Sequence, residues 1–378
     1  MRYQVVSADN HIIEAPNTFT DHIAPEFRDR APRIMKRPDG GDAWSYDGGP
    51  PGPTYSFGLN AVAGRAYQDY KATGLTLEEI LPGNYDGREH LQDMDLDGVD
   101  AATIYPMSSI ESYVIADRPF ALAVMRAYND WLLDDFCSAD PDRLIGLPLM
   151  PVDDGMDVLL GELRRVADKG ARGVFIPYYA QRSYADPFYD PFFAEASDAA
   201  VPLCMHRVMG GRPPAGEVTP PPEAAPGLNI AGIVQRFFAA IQPFTQLTFT
   251  GVFQRFPGLK LVEAEVNVGW LPFWVEMMEE EYERQRHWAK PPLETNPSEF
   301  VGTNLFVSVL NDRTGFAAAR HDDLVAAAAL FSTDYPHSTT LFPHSRTYIA
   351  ELTDGMDDSR KHAILAGNAM RVFNLSVS

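Results

Sequence analysis

Cysteine is almost missing from this chain. Cys137 and Cys204 are the only two in 378 residues, and neither stands in a CxxC or other paired-ligand spacing. A disulfide framework is therefore excluded as the organising principle, and a reducing cytoplasm is the expected compartment. Positive charge is also short, since 31 Lys and Arg against 52 Asp and Glu leave a formal charge of −21. That surplus of acid excludes nucleic-acid backbones and anionic membranes as default partners. No run of 18 apolar residues occurs, so no membrane-crossing helix is expected. The opening MRYQVVSADNHIIE has no apolar stretch of signal-peptide length. A glycine-rich dinucleotide turn is absent after the first apolar run, which disfavours an open doubly wound sheet. What remains, 45% hydrophobic and 22% charged, is a globular composition.

Eight short apolar, β-branched runs lie along the chain, at 3–8, 98–106, 143–151, 171–177, 201–206, 259–265, 304–310 and 328–334. Near-continuous hydrophobicity is the pattern of strands covered on both faces. The spacers carry helical patterns. Residues 153–169 place apolar side chains near i, i+3, i+4 and i+7, with Gly170 as a stop. Residues 110–138 and 187–200 are also expected to be helical, the latter with Pro191 early in its helix. Alternating strand and helix predicts parallel strands joined by right-handed crossovers. Eight such units predict an α/β fold, a (β/α)8 TIM barrel, as one domain over 1–378. Two stretches break the repeat. Residues 27–82, after strand one, are expected to form an insertion or flap. Residues 208–228, after strand five, are expected to form a proline-rich loop at the barrel mouth.

Polar residues gather at the predicted strand ends. Asp9 and His11 close strand one, and period-two geometry puts both on one face if the strand runs that far. His206 ends strand five, Glu265 ends strand six and Asp334 ends strand eight. In a barrel these ends converge on one mouth. Two carboxylates and two imidazoles suit a divalent ion, so Asp9, His11, His206 and Asp334 are the expected metal ligands. Zinc comes first, with manganese or iron as alternatives. Each residue alone could equally be a hydrogen-bonding strand end. Glu265 is a candidate acid or base, or a ligand to a second metal. Arg207 could meet an anionic substrate or brace Asp9 or Glu265 through a salt bridge. His337 is a candidate catalytic or orienting group, whereas His344 reads as structural. Glu14 could orient the loop after strand one, and Trp270 could line the mouth or sit in the core.

These segments, SADNHIIE at 7–14, DMDLDGVDAATIYP at 93–106, the stretch 172–206, the stretch 251–278 and STDYPHS at 332–338, resemble the amidohydrolase-related family, the amidohydrolase 2 group. The resemblance implies a metal-dependent barrel enzyme. The family's first-strand motif commonly has two His flanking one residue; Asp9 and His11 flank Asn10 here, a change the family's decarboxylases share. His206 and Asp334 match its strand-five and strand-eight ligands. Its strand-six His is replaced by Glu265, which departs from the usual decarboxylase pattern. The strand-four end GVFIPYY lacks Lys, so a site bridged by carbamylated lysine is not expected.

The leading expectation is hydrolysis of a small, anionic substrate by metal-activated water. Asp334 would handle the water proton, Glu265 would protonate the leaving group and Arg207 would hold the anion. The first alternative is nonoxidative decarboxylation of an aromatic or unsaturated carboxylic acid. Others are oxygen chemistry at a two-metal iron or manganese site, and a supporting subunit of a heteromeric metalloenzyme. The expected partners are a small-molecule substrate and a second copy in a homodimer, with a heteromer as the alternative. Neither nucleic acid nor membrane is expected.

Overall fold

The computed structural model describes residues 3–51, 57–214 and 226–376. Ten strands run in chain order: β1 (Val6–His11), β2 (Arg33–Lys36), β3 (Asp42–Ser45), β4 (Ala101–Tyr105), β5 (Leu144–Gly146), β6 (Val174–Phe175), β7 (Leu203–His206), β8 (Leu261–Ala264), β9 (Leu305–Val309) and β10 (Ala329–Phe331). Seven of them fall inside apolar runs, and β1 overlaps the first run at residues 6–8 and continues to His11. They form two all-parallel sheets, β1-β4-β5 and β10-β9-β8-β7-β6, while β2 and β3 make a separate antiparallel hairpin. Short contacts link the two sheets at both ends. Leu149 bridges Phe175 in parallel, and Asp334 N–H donates to the Asp9 carbonyl at 2.9 Å on the other side. Parallel sheets with alternating helices, ordered this way, are consistent with a TIM-barrel-like architecture.

The helices follow from local signals. In Met156–Asp168, Leu159, Leu163 and Val166 are buried on one stripe, and Gly170 leaves the helix at φ +91°, a conformation that favours glycine. Helix Gly87–Asp97 begins at Asp86, whose carboxylate accepts from Arg88 N at 2.8 Å and Glu89 N at 3.1 Å.

Two expectations change. The 110–138 segment is not one helix: a 3₁₀ stretch (Ser108–Tyr113) precedes a helix starting at Arg118, with a π-turn over Leu132–Phe136. Pro119 explains the start at Arg118, since proline is tolerated only in the first turn. After β7, the expected loop stops early because a helix begins at Pro226; residues 215–225 of that loop lie outside the described residues.

The 27–82 insertion buries Trp44, Phe57 and Val62 and touches the chain after β10, where Val62 N donates to Pro336 O at 3.0 Å. Residues 52–56 of it lie outside the described set. Among the described residues no helix is long and apolar enough to cross a membrane.

Candidate metal centre

The strand ends bring Asp9, His11, His206 and Asp334 together. β1 does extend through His11, and its last residues carry Asp9 and His11 into the same cluster, both fully buried. His11 Nε2 lies 2.9 Å from His206 Nε2 and 3.2 Å from Asp9 Oδ1. His206 Nε2 lies 3.5 Å from Asp9 Oδ1, and Asp334 Oδ1 is 3.6 Å from His11 Nε2. One donor atom from each of the four sits within 4.8 Å of all the others. Donor atoms about 2.0–2.2 Å from a shared ion stand roughly 3–3.5 Å apart, so these separations fit a single cation.

The electrostatics fit it as well. Asp9 Oδ1 and Asp334 Oδ1 are buried and receive no hydrogen bond, an arrangement that is costly for a carboxylate without a compensating cation. Burial opposes the Asp9 charge, but His206 and His11 outweigh it and hold its carboxyl below the usual range. For Asp334, burial is likewise outweighed by His337, and its carboxyl is also held low. Burial, then the charges of His337 and His206, press the His11 imidazole down to about 4. It is therefore neutral near pH 7 with a lone pair to offer.

Packing aims these rings. His11 stacks on His337 with centroids 3.9 Å apart, and Tyr105 approaches His11 and His206 at 5.7 and 5.4 Å. Backbone conformation matters too. Arg207, Glu265 and Asp334 all have φ between 44° and 55°. Such left-handed non-glycine residues cost about 1–3 kcal/mol each and cluster at functional sites. Here they turn side chains at the ends of three strands.

A second ring of groups surrounds the four. Glu265 Oε2 is 3.4 Å from His206 Nε2, while its other oxygen pairs with the Arg207 guanidinium. Arg207 Nε also donates to the Glu265 carbonyl at 3.1 Å. Of the two roles open to Arg207, the brace on Glu265 is therefore the one observed. Burial pushes its guanidinium down to about 10, which leaves it charged near pH 7. His337 Nδ1 is 3.0 Å from Asp334 Oδ1, and Thr339 donates to Asp334 Oδ2. Glu265, Asp334 and His337 form a second, overlapping donor group. His344 sits at the start of a helix, away from the cluster. Trp270 is half-buried and donates to Val266 O at 3.0 Å.

Glu14, expected to orient the loop after strand one, binds a different loop. Its carboxylate accepts from Ser108 N at 3.1 Å and Ser109 N at 2.8 Å, holding the loop after β4. Ser308 receives the Glu265 N–H at 2.7 Å and reaches Asp9 Oδ2 at 3.4 Å. Glu263 is fully buried with neither oxygen bonded, and burial, then Asp9, raises its carboxyl well above the usual range.

Asn10, between the two first-strand donors, accepts from Ser7 Oγ at 2.7 Å and Thr333 Oγ1 at 2.8 Å. Its amide nitrogen is 3.1 Å from His90 Nε2. His90 Nδ1 lies 2.8 Å from Gly83 O, so His90 donates there and accepts from Asn10. Burial presses the His90 imidazole from 6.5 to about 4, the Gly83 hydrogen bond opposing it. Because the folded value is the lower one, this group's stabilising contribution is complete above pH 6.5 and is lost as pH falls towards 4. The full loss is roughly 3 kcal/mol. A His90→Gln variant should therefore show a flatter fall in unfolding free energy between pH 6.5 and 4 in denaturant titrations. An unchanged slope would count against a neutral, buried His90.

The amidohydrolase (Amidohydro_2) family model matches residues 86–375, so β1 with Asp9 and His11 falls outside the matched span. No curated protein gives a significant match to the sequence. Solved structures share the fold. An amidohydrolase from Mycobacterium avium subsp. paratuberculosis K-10 is similar at a TM-score of 0.76 and 20% identity, covering 100% of this chain and 99% of that one. A 5-carboxyvanillate decarboxylase from Sphingomonas paucimobilis is similar at a TM-score of 0.68 and 18% identity, covering 99% of this chain and 100% of that one. The 5-carboxyvanillate decarboxylase of Novosphingobium aromaticivorans DSM 12444, complexed with manganese and 4-hydroxy-3-methoxy-5-nitrobenzoic acid, is similar at a TM-score of 0.65 and 19% identity, covering 99% of this chain and 96% of that one.

Proposed function

This chain belongs to the amidohydrolase family, and from that premise we propose that it is a metal-dependent, nonoxidative decarboxylase of an aromatic or unsaturated carboxylic acid. The observation that carries the reading is the buried cluster of two imidazoles and two carboxylates with a His337–Asp334 pair at 3.0 Å beside it. A proton-handling group beside a cation site is what this reading requires, and that pair supports it. Decarboxylases are prominent among the structures of like fold, which agrees with this reading.

Asp9, His11, His206 and Asp334 would hold the ion. Two carboxylates beside two imidazoles suit manganese as well as zinc. We place manganese first, since a decarboxylase of like fold carries it. Bound there, the ion would supply positive charge against the substrate carboxylate. The chain's residues do the rest. Arg207, buried and paired to Glu265, braces that carboxylate beside the site. The bond from the carboxylate to its carbon breaks and the electron pair stays on that carbon. His337 delivers the proton that replaces CO2, with Asp334 orienting the imidazole. His337 Nε2 is buried with no hydrogen-bond partner, which leaves that nitrogen to face the substrate carbon. The Glu265–Arg207 pairing makes Glu265 a poor free acid, which weakens the leaving-group role expected of it in hydrolysis.

Hydrolysis is the second reading. It is favoured by the buried Asp334 carboxylate within the donor cluster, which could accept a proton from water. Turnover of 5-carboxyvanillate or 2,6-dihydroxybenzoate in D2O, beside an aryl ester or lactone probe in H2(18)O, separates the two. CO2 release with one deuterium at the vacated carbon is the expected result. Incorporation of the heavy oxygen from water into a product, without CO2, would replace this reading with hydrolysis.

A further inference from the structure

We infer that Asn10 and Thr333 are positioning residues that set the spacing of Asp9, His11 and Asp334 across the join between β1 and β10. The inference rests on the four-donor metal reading. It adds that metal affinity is controlled from the opposite face of β1, by groups that touch no ligand atom.

The join has little ladder of its own. β1 and β10 lie in different sheets, and on its other edge the pairing of β1 with β4 slips between Ser7 and Asn10, around Asp9. The backbone hydrogen bonds there, Asp334 N to Asp9 O at 2.9 Å and His11 N to Tyr335 O at 2.6 Å, involve the candidate ligands themselves. A one-residue slip would turn every side chain to the other face. Something else has to fix the register.

The Asn10 cluster does so. Thr333 N donates to Ser7 Oγ at 3.0 Å, and the Ser7 and Thr333 hydroxyls both donate to Asn10 Oδ1. Asn10 Nδ2 donates to His90, which donates on to Gly83 O. Donor and acceptor roles run in one direction, from the two hydroxyls through Asn10 and His90 to a carbonyl. Asn10 is 1% exposed, and Ser7, His90 and Thr333 are no more exposed than that. A satisfied buried network of this kind specifies one arrangement, whereas a half-satisfied one is costly. Asn10 sits between Asp9 and His11, and Thr333 precedes Asp334. One cluster therefore grips both strands at the residues adjoining three of the four donors.

The test is cobalt(II) affinity of the full chain by chelator competition, read with the visible ligand-field spectrum, so that no substrate is needed. Thr333→Val keeps the side-chain shape but removes the hydroxyl, and Thr333→Ser keeps the hydroxyl. Thr333→Val should bind cobalt(II) about 10–100-fold more weakly, the cost typical of losing an outer partner, with an altered spectrum. Thr333→Ser should stay close to wild type in both. Should Thr333→Val fail to fold by near-UV circular dichroism, Ser7→Ala carries the same comparison. A folded Thr333→Val, or Ser7→Ala in its place, with wild-type affinity and spectrum overturns the inference and leaves the metal reading intact. A wild-type chain that binds no cobalt(II) overturns the metal reading, and this inference with it.

Discussion

An Asp334→Asn variant is expected to lose about 10²- to 10⁴-fold of turnover, the range for general acid–base catalysis, because it disorients the His337 that delivers the proton. Three observations converge on this residue. Asp334 Oδ1 faces the four-donor cluster, 3.6 Å from His11 Nε2. The same oxygen lies 3.0 Å from His337 Nδ1. Its backbone is held at φ 50° and its N–H is tied to Asp9 O. The amide keeps the shape and one oxygen but loses the charge that keeps His337 oriented and balances the cation. Steady-state kinetics alongside metal analysis of the same sample check the expectation. Turnover near wild type with metal retained would remove Asp334 from the chemistry.

The second large effect is on stability. Arg207→Met should destabilise the metal-free protein by about 3–5 kcal/mol, the cost of breaking one side of a buried ion pair. Both partners are buried, 7% and 6% exposed, so Arg207→Met strands the Glu265 charge among Asp9 and Asp334. It also removes the guanidinium stacked 4.9 Å from the Phe237 ring centroid. Adding Glu265→Gln should recover most of the loss, since no stranded charge remains. Denaturant titration of the two single variants and the double variant reads this directly. A double variant no more stable than Arg207→Met would mean that packing, not the charge pair, matters at this position.

What the sequence made legible was whatever has a period or a strand end. The eight apolar runs mark the eight parallel strands because strands covered on both faces are apolar throughout. Asp9, His11, His206 and Asp334 stood out because each is a polar residue closing such a run, and the fold reading alone brought them together. The groups that support them left no such trace. Ser7, Asn10, Thr333 and His90 are ordinary polar residues whose partners lie up to 326 positions away, so no window of sequence contains the cluster. Glu14 was visible as a polar residue near strand one, but its role depends on backbone N–H groups 94 and 95 residues on. For Arg207 both readings were open, and only three-dimensional placement showed it paired to Glu265. Reaction type was the least legible. The family resemblance admitted hydrolysis and decarboxylation alike, and the difference lies in where a proton goes rather than in which residues are present.

The central claim is that Asp9, His11, His206 and Asp334 share one ion. Anomalous diffraction from crystals of manganese-loaded protein, collected on both sides of the metal edge, tests it most directly. A strong peak is predicted within about 2.0–2.3 Å of His11 Nε2, His206 Nε2 and one oxygen of each aspartate. An intact, well-ordered cluster with no peak at its centre, or the ion bound elsewhere, would contradict it.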